Sequence, residues 1–124
     1  MGVGEQLDYI QLKVPAAYHE LLKKYPEMVS EFVALQENDL GTFCKKQLDY
    51  GPSNIAVGTA LLSDDDKRLS LTGVWFRCND KIQRLKNLVV LGKNAQNESV
   101  EDSYMDLSVY NTIARIVLNG KWGK

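Results

Sequence analysis

The chain is short of the residues on which several common chemistries depend. Its single histidine, His19, leaves no basis for a Ser–His or Cys–His nucleophile system. Its two cysteines, Cys44 and Cys78, form no CxxC and no Cys/His ligand spacing, which excludes a structural zinc site. They point instead to free thiols in a reducing, cytoplasmic setting. No apolar run approaches the roughly 20 residues that a membrane span requires. The first twenty residues carry Glu5, Asp8 and Glu20 and lack an apolar core, so a secretory signal is not expected. Excess charge of one sign is missing too. Fifteen basic residues stand against sixteen acidic ones, a net charge of −1, and no global field favours nucleic acid or an anionic membrane. Neither GxxxxGK[ST] nor GxGxxG occurs, which excludes the P-loop and Rossmann nucleotide sites.

What the chain does have is the make-up of one soluble globular unit. Its 124 residues are 44% hydrophobic and 25% charged, enough for one core and too short for two. The expectation is a single domain over residues 1–124, with residues 1–12 as a flexible leader. Pro15 suits the first turn of a helix that runs to Lys24 and ends before Tyr25-Pro26, because a residue preceding proline avoids helical torsions. A second helix starts at Glu27, is interrupted at Asn38-Asp39, and stops at Asp49-Tyr50-Gly51-Pro52. Residues 52–73 read as one long irregular loop with Ser63-Asp64-Asp65-Asp66-Lys67-Arg68 as a solvated turn; the run suits a short hairpin or a helical turn plus loop, and a loop with short helical pieces is the preferred reading. A third helix follows, with Val74, Trp75, Cys78, Ile82, Leu85 and Val89 on its core face and a stop near Gly92. The last helix runs from Ser99 to Leu118, with Tyr104, Leu107, Ile113, Ala114 and Val117 as its core. The fold class is therefore all-α, a small bundle of about four helices.

Charge is patterned along the two later helices. Opposite the expected core face, the third helix carries Arg77, Asp80, Lys81, Arg84 and Asn87 within about 120°. On the last helix Glu98, Asp102 and Asp106 recur every fourth residue, with Glu101 beside them. Like charges at that spacing repel by a few tenths of a kcal/mol each, unless a cation or a basic partner neutralises them. Oxygen ligands of this kind suit Mg²⁺, which binds one or two carboxylates together with substrate phosphates. Basic residues nearby would hold those phosphates. The same residues admit a plainer arrangement in which Arg77, Lys81 and Arg84 pair with Glu101, Asp102 and Asp106 across two packed helices. Ser99 and Asp102 also have the spacing of a capping box.

A second polar cluster holds Lys46, Asp49, Tyr50 and Asn54. As structure it is a helix terminus, with Gly51 left-handed and Pro52 blocking continuation. As a site it places Tyr50 and Asn54 at a nucleobase or sugar, with Lys46 or Asp49 facing phosphate and metal. Trp75 and Phe76 read as core or interface, His19 as a surface residue, and the cysteines as small hydrophobes on apolar stripes. The tail pair Lys121-Trp122 docks either on the bundle or on a neighbouring subunit.

Three ordered motifs carry a resemblance. They are Leu48-Asp49-Tyr50-Gly51-Pro52-x-Asn54-Ile55, then Leu71-Thr72-Gly73-Val74-Trp75-Phe76-Arg77-x-Asn79-Asp80-Lys81-Ile82-x-Arg84-Leu85-Lys86-Asn87-Leu88, then Glu98-x-x-Glu101-Asp102-x-Tyr104-x-Asp106-Leu107-x-x-Tyr110. Over residues 43–122 the chain resembles the phage and bacterial nucleotide modification associated domain 1 family. That resemblance implies a small helical protein of nucleotide or modified-base metabolism. More distantly, the last helix is similar to MazG-like all-α nucleoside triphosphate pyrophosphohydrolases, whose ExxE and ExxD motifs hold Mg²⁺. Asp106 matches the end of the second motif, but Ser103 stands where its glutamate belongs and no clean ExxE is present.

The expected function is binding of a (deoxy)nucleotide, with Mg²⁺-dependent pyrophosphate release as the enzymatic form. Asp80, Asp102 and Asp106 would be catalytic, and together with Glu98 and Glu101 would hold the metal. Lys46, Asp49, Tyr50, Asn54, Arg77, Lys81, Arg84 and Asn87 would bind the ligand. The alternatives are a non-catalytic nucleotide-binding or sequestering module, and an interaction protein whose stripes pair with each other. A homodimer or higher homo-oligomer, with no membrane or nucleic-acid partner, completes the expectation.

Overall fold

A computed structural model describes residues 16–56 and 63–124. The leader expected over residues 1–12, the Pro15 helix start and residues 57–62 of the expected loop lie outside the described residues. Four α-helices account for most of what is described: α1 (Ala16–Lys24), α2 (Pro26–Tyr50), α3 (Asp64–Leu85) and α4 (Val100–Leu118). A 3-10 turn covers Pro52–Asn54, and a π-helical turn over Lys86–Val90 extends α3. The fold is all-α. Among the described residues, no helix is long and apolar enough to cross a membrane.

The chain divides into two compact units, Met1–Asn38 and Asp39–Lys124, and the division falls within α2. In the first unit α1 ends on Lys23 and Lys24, cations placed where the helix dipole is negative. Tyr25 closes that turn by donating its N–H to the Leu21 carbonyl at 2.8 Å, and Pro26 then begins α2, where a missing N–H costs nothing. Val29 is buried, while Met28, Phe32 and Leu35 lie exposed. The expected interruption at Asn38-Asp39 does not occur, for α2 is continuous through Gly41.

The second unit is built on the pairing of α3 with α4. Arg84 meets Ser103, Lys81 meets Asp106 and Cys78 meets Asn111, so the two helices run antiparallel. From these helices Val74, Ile113 and Val117 form a buried core cluster with Ile55, Ala56 and Trp122. Phe43 of α2 packs on this core, and Ser108 of α4 donates to the Asp39 carboxylate at 2.9 Å. The C-terminus of α4 closes in a Schellman motif. Gly120 (φ 70°) donates to the Val117 carbonyl and Lys121 to that of Ile116, a reversal that needs the left-handed torsion glycine provides. This turn brings Trp122 back onto the bundle, where its indole N–H donates to the Pro52 carbonyl at 2.8 Å.

Three sequence expectations are corrected. The irregular stretch does not extend to residue 73, because α3 begins at Asp64. Ser63 is its N-cap, its Oγ accepting from the Asp66 N–H, and Asp64, Asp65 and Asp66 supply negative charge where the helix dipole is positive. What reads as a solvated charge run is a helix start. Second, Trp75, Ile82 and Val89 are exposed rather than core, as is Tyr104 on α4. The face of α3 turned to α4 carries Val74 and Leu85 together with the half-buried Arg77, Lys81 and Arg84, so the basic stripe points inward. Third, Cys44 is exposed, and only Cys78 packs against the core.

Candidate functional site

A cleft of about 240 Å³ opens in the second unit where α2, the 3-10 turn, α3 and α4 meet. Two helical faces form its walls. Phe43, Lys46, Gln47 and Tyr50 of α2 share one face at spacings of 3, 4 and 7; Asp106, Val109, Tyr110 and Ile113 of α4 share another at the same spacings. Asn54 and Ile55 close one end, and Arg77 reaches in from α3. The 3-10 turn is fixed by Gly51, whose φ of 72° lets the chain reverse, and by the indole of Trp122 on Pro52.

The polar groups at the cleft are ordered by one another. Gln47 Nε2 donates to the Gly51 carbonyl at 2.5 Å and to Asn54 Oδ1 at 2.9 Å, which uses both protons of its amide. Gln47 thus keeps its carbonyl oxygen as an acceptor, and Asn54 keeps its amide nitrogen as a donor. One guanidinium nitrogen of Arg77 donates to the Asn54 carbonyl at 3.0 Å, and the group lies 6.0 Å from the centre of the Tyr110 ring. The remaining N–H groups of Arg77, and the whole Lys46 ammonium, form no salt bridge among the described residues.

Among the described residues Asp106 is the one carboxylate lining the cleft, and it is neutralised within the protein. Lys81 donates to it at 2.8 Å and stands 3.7 Å from Glu98. The hydrogen bond to Asp106 raises the Lys81 pKa above the ordinary 10.5, against the opposing effect of burial and with help from the charges of Asp106, Glu98 and Tyr110. A pKa raised by folding stabilises the fold below the unfolded value, and that contribution disappears as pH rises through the folded one. Lys81→Met is therefore expected to cost on the order of 1 kcal/mol at pH 7. In urea titrations against the wild type, this difference should shrink above pH 10.5.

The other candidates are placed elsewhere. Arg84 donates to the carbonyls of Glu98 and Ser99 and, at 2.6 Å, to Ser103 Oγ, so it ties the end of α3 to the start of α4. Arg84→Ala should lower stability by about 2 kcal/mol, because it leaves a buried hydroxyl and two carbonyls short of a donor. Chemical denaturation would read this. Asp102 completes a capping box: its backbone N–H donates to Ser99 Oγ, and its carboxylate accepts from the Ser99 N–H. Glu101 is exposed in the first turn of α4. Asp49, Asp80 and Asn87 are exposed and do not line the cleft. Among the described residues, no three His, Cys, Asp or Glu side chains stand together to hold a metal ion.

The structure thus gathers Lys46, Tyr50, Asn54, Arg77 and Asp106 of the expected site, holds Lys81 and through it Glu98 against Asp106, and places Asp49, Asp80, Arg84, Asn87, Glu101 and Asp102 elsewhere. Reading the residues alone missed Gln47 and Phe43, which the helical spacing through Lys46 and Tyr50 would have supplied. No protein family matches the chain, and neither a curated protein nor a solved structure matches it.

Proposed function

We propose that the protein binds a small (deoxy)nucleotide in this cleft, with phosphate on Arg77 and Lys46 and the base among Phe43, Tyr50 and Tyr110. The observation that carries this reading is the meeting in one cleft of three aromatic rings with two cations that have no carboxylate partner among the described residues. Guanidinium and ammonium groups recognise phosphate, and aromatic faces accept a base. The acceptor of Gln47 and the donor of Asn54 suit a nucleobase edge, which presents both kinds of group. A volume of about 240 Å³ suits a mononucleotide better than a larger cofactor. The exposed and half-buried free thiols are in keeping with a reducing cytoplasm. The reading extends to a homodimer or higher homo-oligomer.

Binding without catalysis is the form the geometry favours, since Asp106 and Glu98 are paired with Lys81, Asp102 caps α4, and Asp80 and Glu101 are exposed away from the cleft. A magnesium ion arriving on the substrate's own phosphates needs only one or two protein carboxylates. Asp106 would be its ligand, and Lys81 would have to yield it. Thermal-shift titrations of nucleoside mono- and triphosphates with and without Mg²⁺, against inorganic phosphate, test the proposal. Ligand at 100 times its Kd stabilises by about 2.7 kcal/mol. A nucleotide shift independent of Mg²⁺ is the expected result, and one that requires Mg²⁺ would favour the hydrolytic form. Equal shifts with phosphate alone, or no shift at all, would overturn nucleotide recognition.

A further inference from the structure

The outer face of α3 has no use in the cleft, yet it carries four large hydrophobic side chains to the surface. Leu69, Trp75, Phe76 and Ile82 are each between 51% and 59% exposed, and the Trp75 and Phe76 rings meet edge to face at 5.2 Å. At about 100° per residue these four, with Asp65, Arg68, Thr72, Asn79, Gln83 and Lys86, fall within about 140° of the helix circumference, and Arg68 and Gln83 are themselves related by the pairing below.

The order of residues along this face is self-complementary when reversed. Placing a two-fold axis between Trp75 and Phe76 sets Trp75 against Phe76 of the partner subunit and Leu69 against Ile82 of the partner subunit. The same operation sets Thr72 against Asn79 of the partner subunit, polar on polar. At the ends it sets Asp65 against Lys86 of the partner subunit, acid on base. The same pairs repeat on the other side of the axis, as a closed two-fold interface requires. Asp65 and Lys86 are both exposed, and neither has a salt-bridge partner among the described residues.

We propose that α3 is the dimer interface of this protein: two copies pack antiparallel through Trp75 and Phe76, with Asp65 and Lys86 setting the register. This rests on the reading of the chain as a homo-oligomer and is independent of nucleotide binding. Hydrophobic anchors at the centre would supply affinity, and the outer charge pairs would select the antiparallel register.

Sedimentation equilibrium of the full chain at micromolar concentrations tests it, with circular dichroism to confirm helix content. Wild type should sediment at twice the 14.0 kDa chain mass, and Phe76→Glu at once that mass with its helicity kept. Asp65→Lys and Lys86→Asp alone should each weaken association about tenfold at low salt. The double variant Asp65→Lys/Lys86→Asp should restore it. Each of these changes opposes the α3 dipole, so a purely local effect would make the double variant worse than either single one. A monomeric wild type would overturn both this interface and the homo-oligomer reading. A Phe76→Glu protein that stays dimeric would overturn this interface alone. A double variant that fails to recover would overturn the register.

Discussion

Trp122→Ala is expected to lower the unfolding free energy by about 4 kcal/mol, close to the whole stability of many domains of this size. The indole is 5% exposed, packs 6.1 Å from the Phe43 ring, and joins Ile55, Ala56, Val74, Ile113 and Val117 in one cluster. Truncation removes that buried area, leaves a cavity in the second unit and takes from the Pro52 carbonyl its side-chain donor, leaving it only the longer backbone bonds from Ile55 and Ala56. Gly123 follows in a left-handed torsion, and a Cβ there would stand 3.2 Å from Pro52 Cβ, so the tail lies close against the turn it holds. Urea denaturation followed by far-ultraviolet circular dichroism should show a lower midpoint. Trp122→Phe, which keeps the ring but not the N–H, should recover more than half of the loss. An unchanged midpoint in Trp122→Ala would mean that the tail contributes no packing energy.

The same contact explains one limit of the sequence. Nothing in Lys121-Trp122 indicates whether the tail docks on its own bundle or on a neighbour, since either surface would bury an indole equally well. The partner is Pro52, seventy residues earlier, and only the Schellman turn at Gly120 aims the tryptophan at it. The punctuation of the helices, by contrast, was legible. Gly51-Pro52, Gly92 and Asn119-Gly120 end helices because proline lacks a donor and glycine accepts positive φ, properties local to those residues. The start of α3 was misread because three aspartates satisfy both a solvated turn and an N-terminal turn. Only the Ser63 side chain, accepting from Asp66, separates the two.

Facing is where periodicity failed. A helical wheel through Val74 cannot tell whether Trp75 or Arg77 turns inward, because long cationic side chains bury their stems and place their charges on carbonyls and carboxylates. Arg84 and Lys81 do this against the start of α4. The acidic stripe is correspondingly quiet: Asp106 and Glu98 answer Lys81, and Asp102 caps a helix. The ion-pair arrangement weighed for these stripes therefore accounts for Lys81, and backbone capping accounts for Arg84. Arg77 also gives one nitrogen to a backbone carbonyl, that of Asn54, but it lines the cleft and forms no salt bridge among the described residues, which is why the site reading narrows to it.

Arg77→Ala should accordingly weaken nucleotide affinity about fifty-fold, the loss of roughly 2.3 kcal/mol that goes with removing a charge-assisted hydrogen bond to phosphate. The variant also gives up the bond to the Asn54 carbonyl, so a stability loss of about 1 kcal/mol is expected beside the binding loss. Calorimetric titration at a temperature where both proteins are folded separates the two. Arg77→Lys restores charge without the planar fork and should recover only part of the affinity. Arg84→Ala is the informative control, two positions along the basic stripe yet engaged with Glu98, Ser99 and Ser103, and its affinity should stay within about twofold of wild type. Equal losses at Arg77 and Arg84 would mean that phosphate runs along the whole basic stripe. A loss at Arg77 alone places it at the mouth of the cleft, with Lys46 on the opposite wall as the second cation.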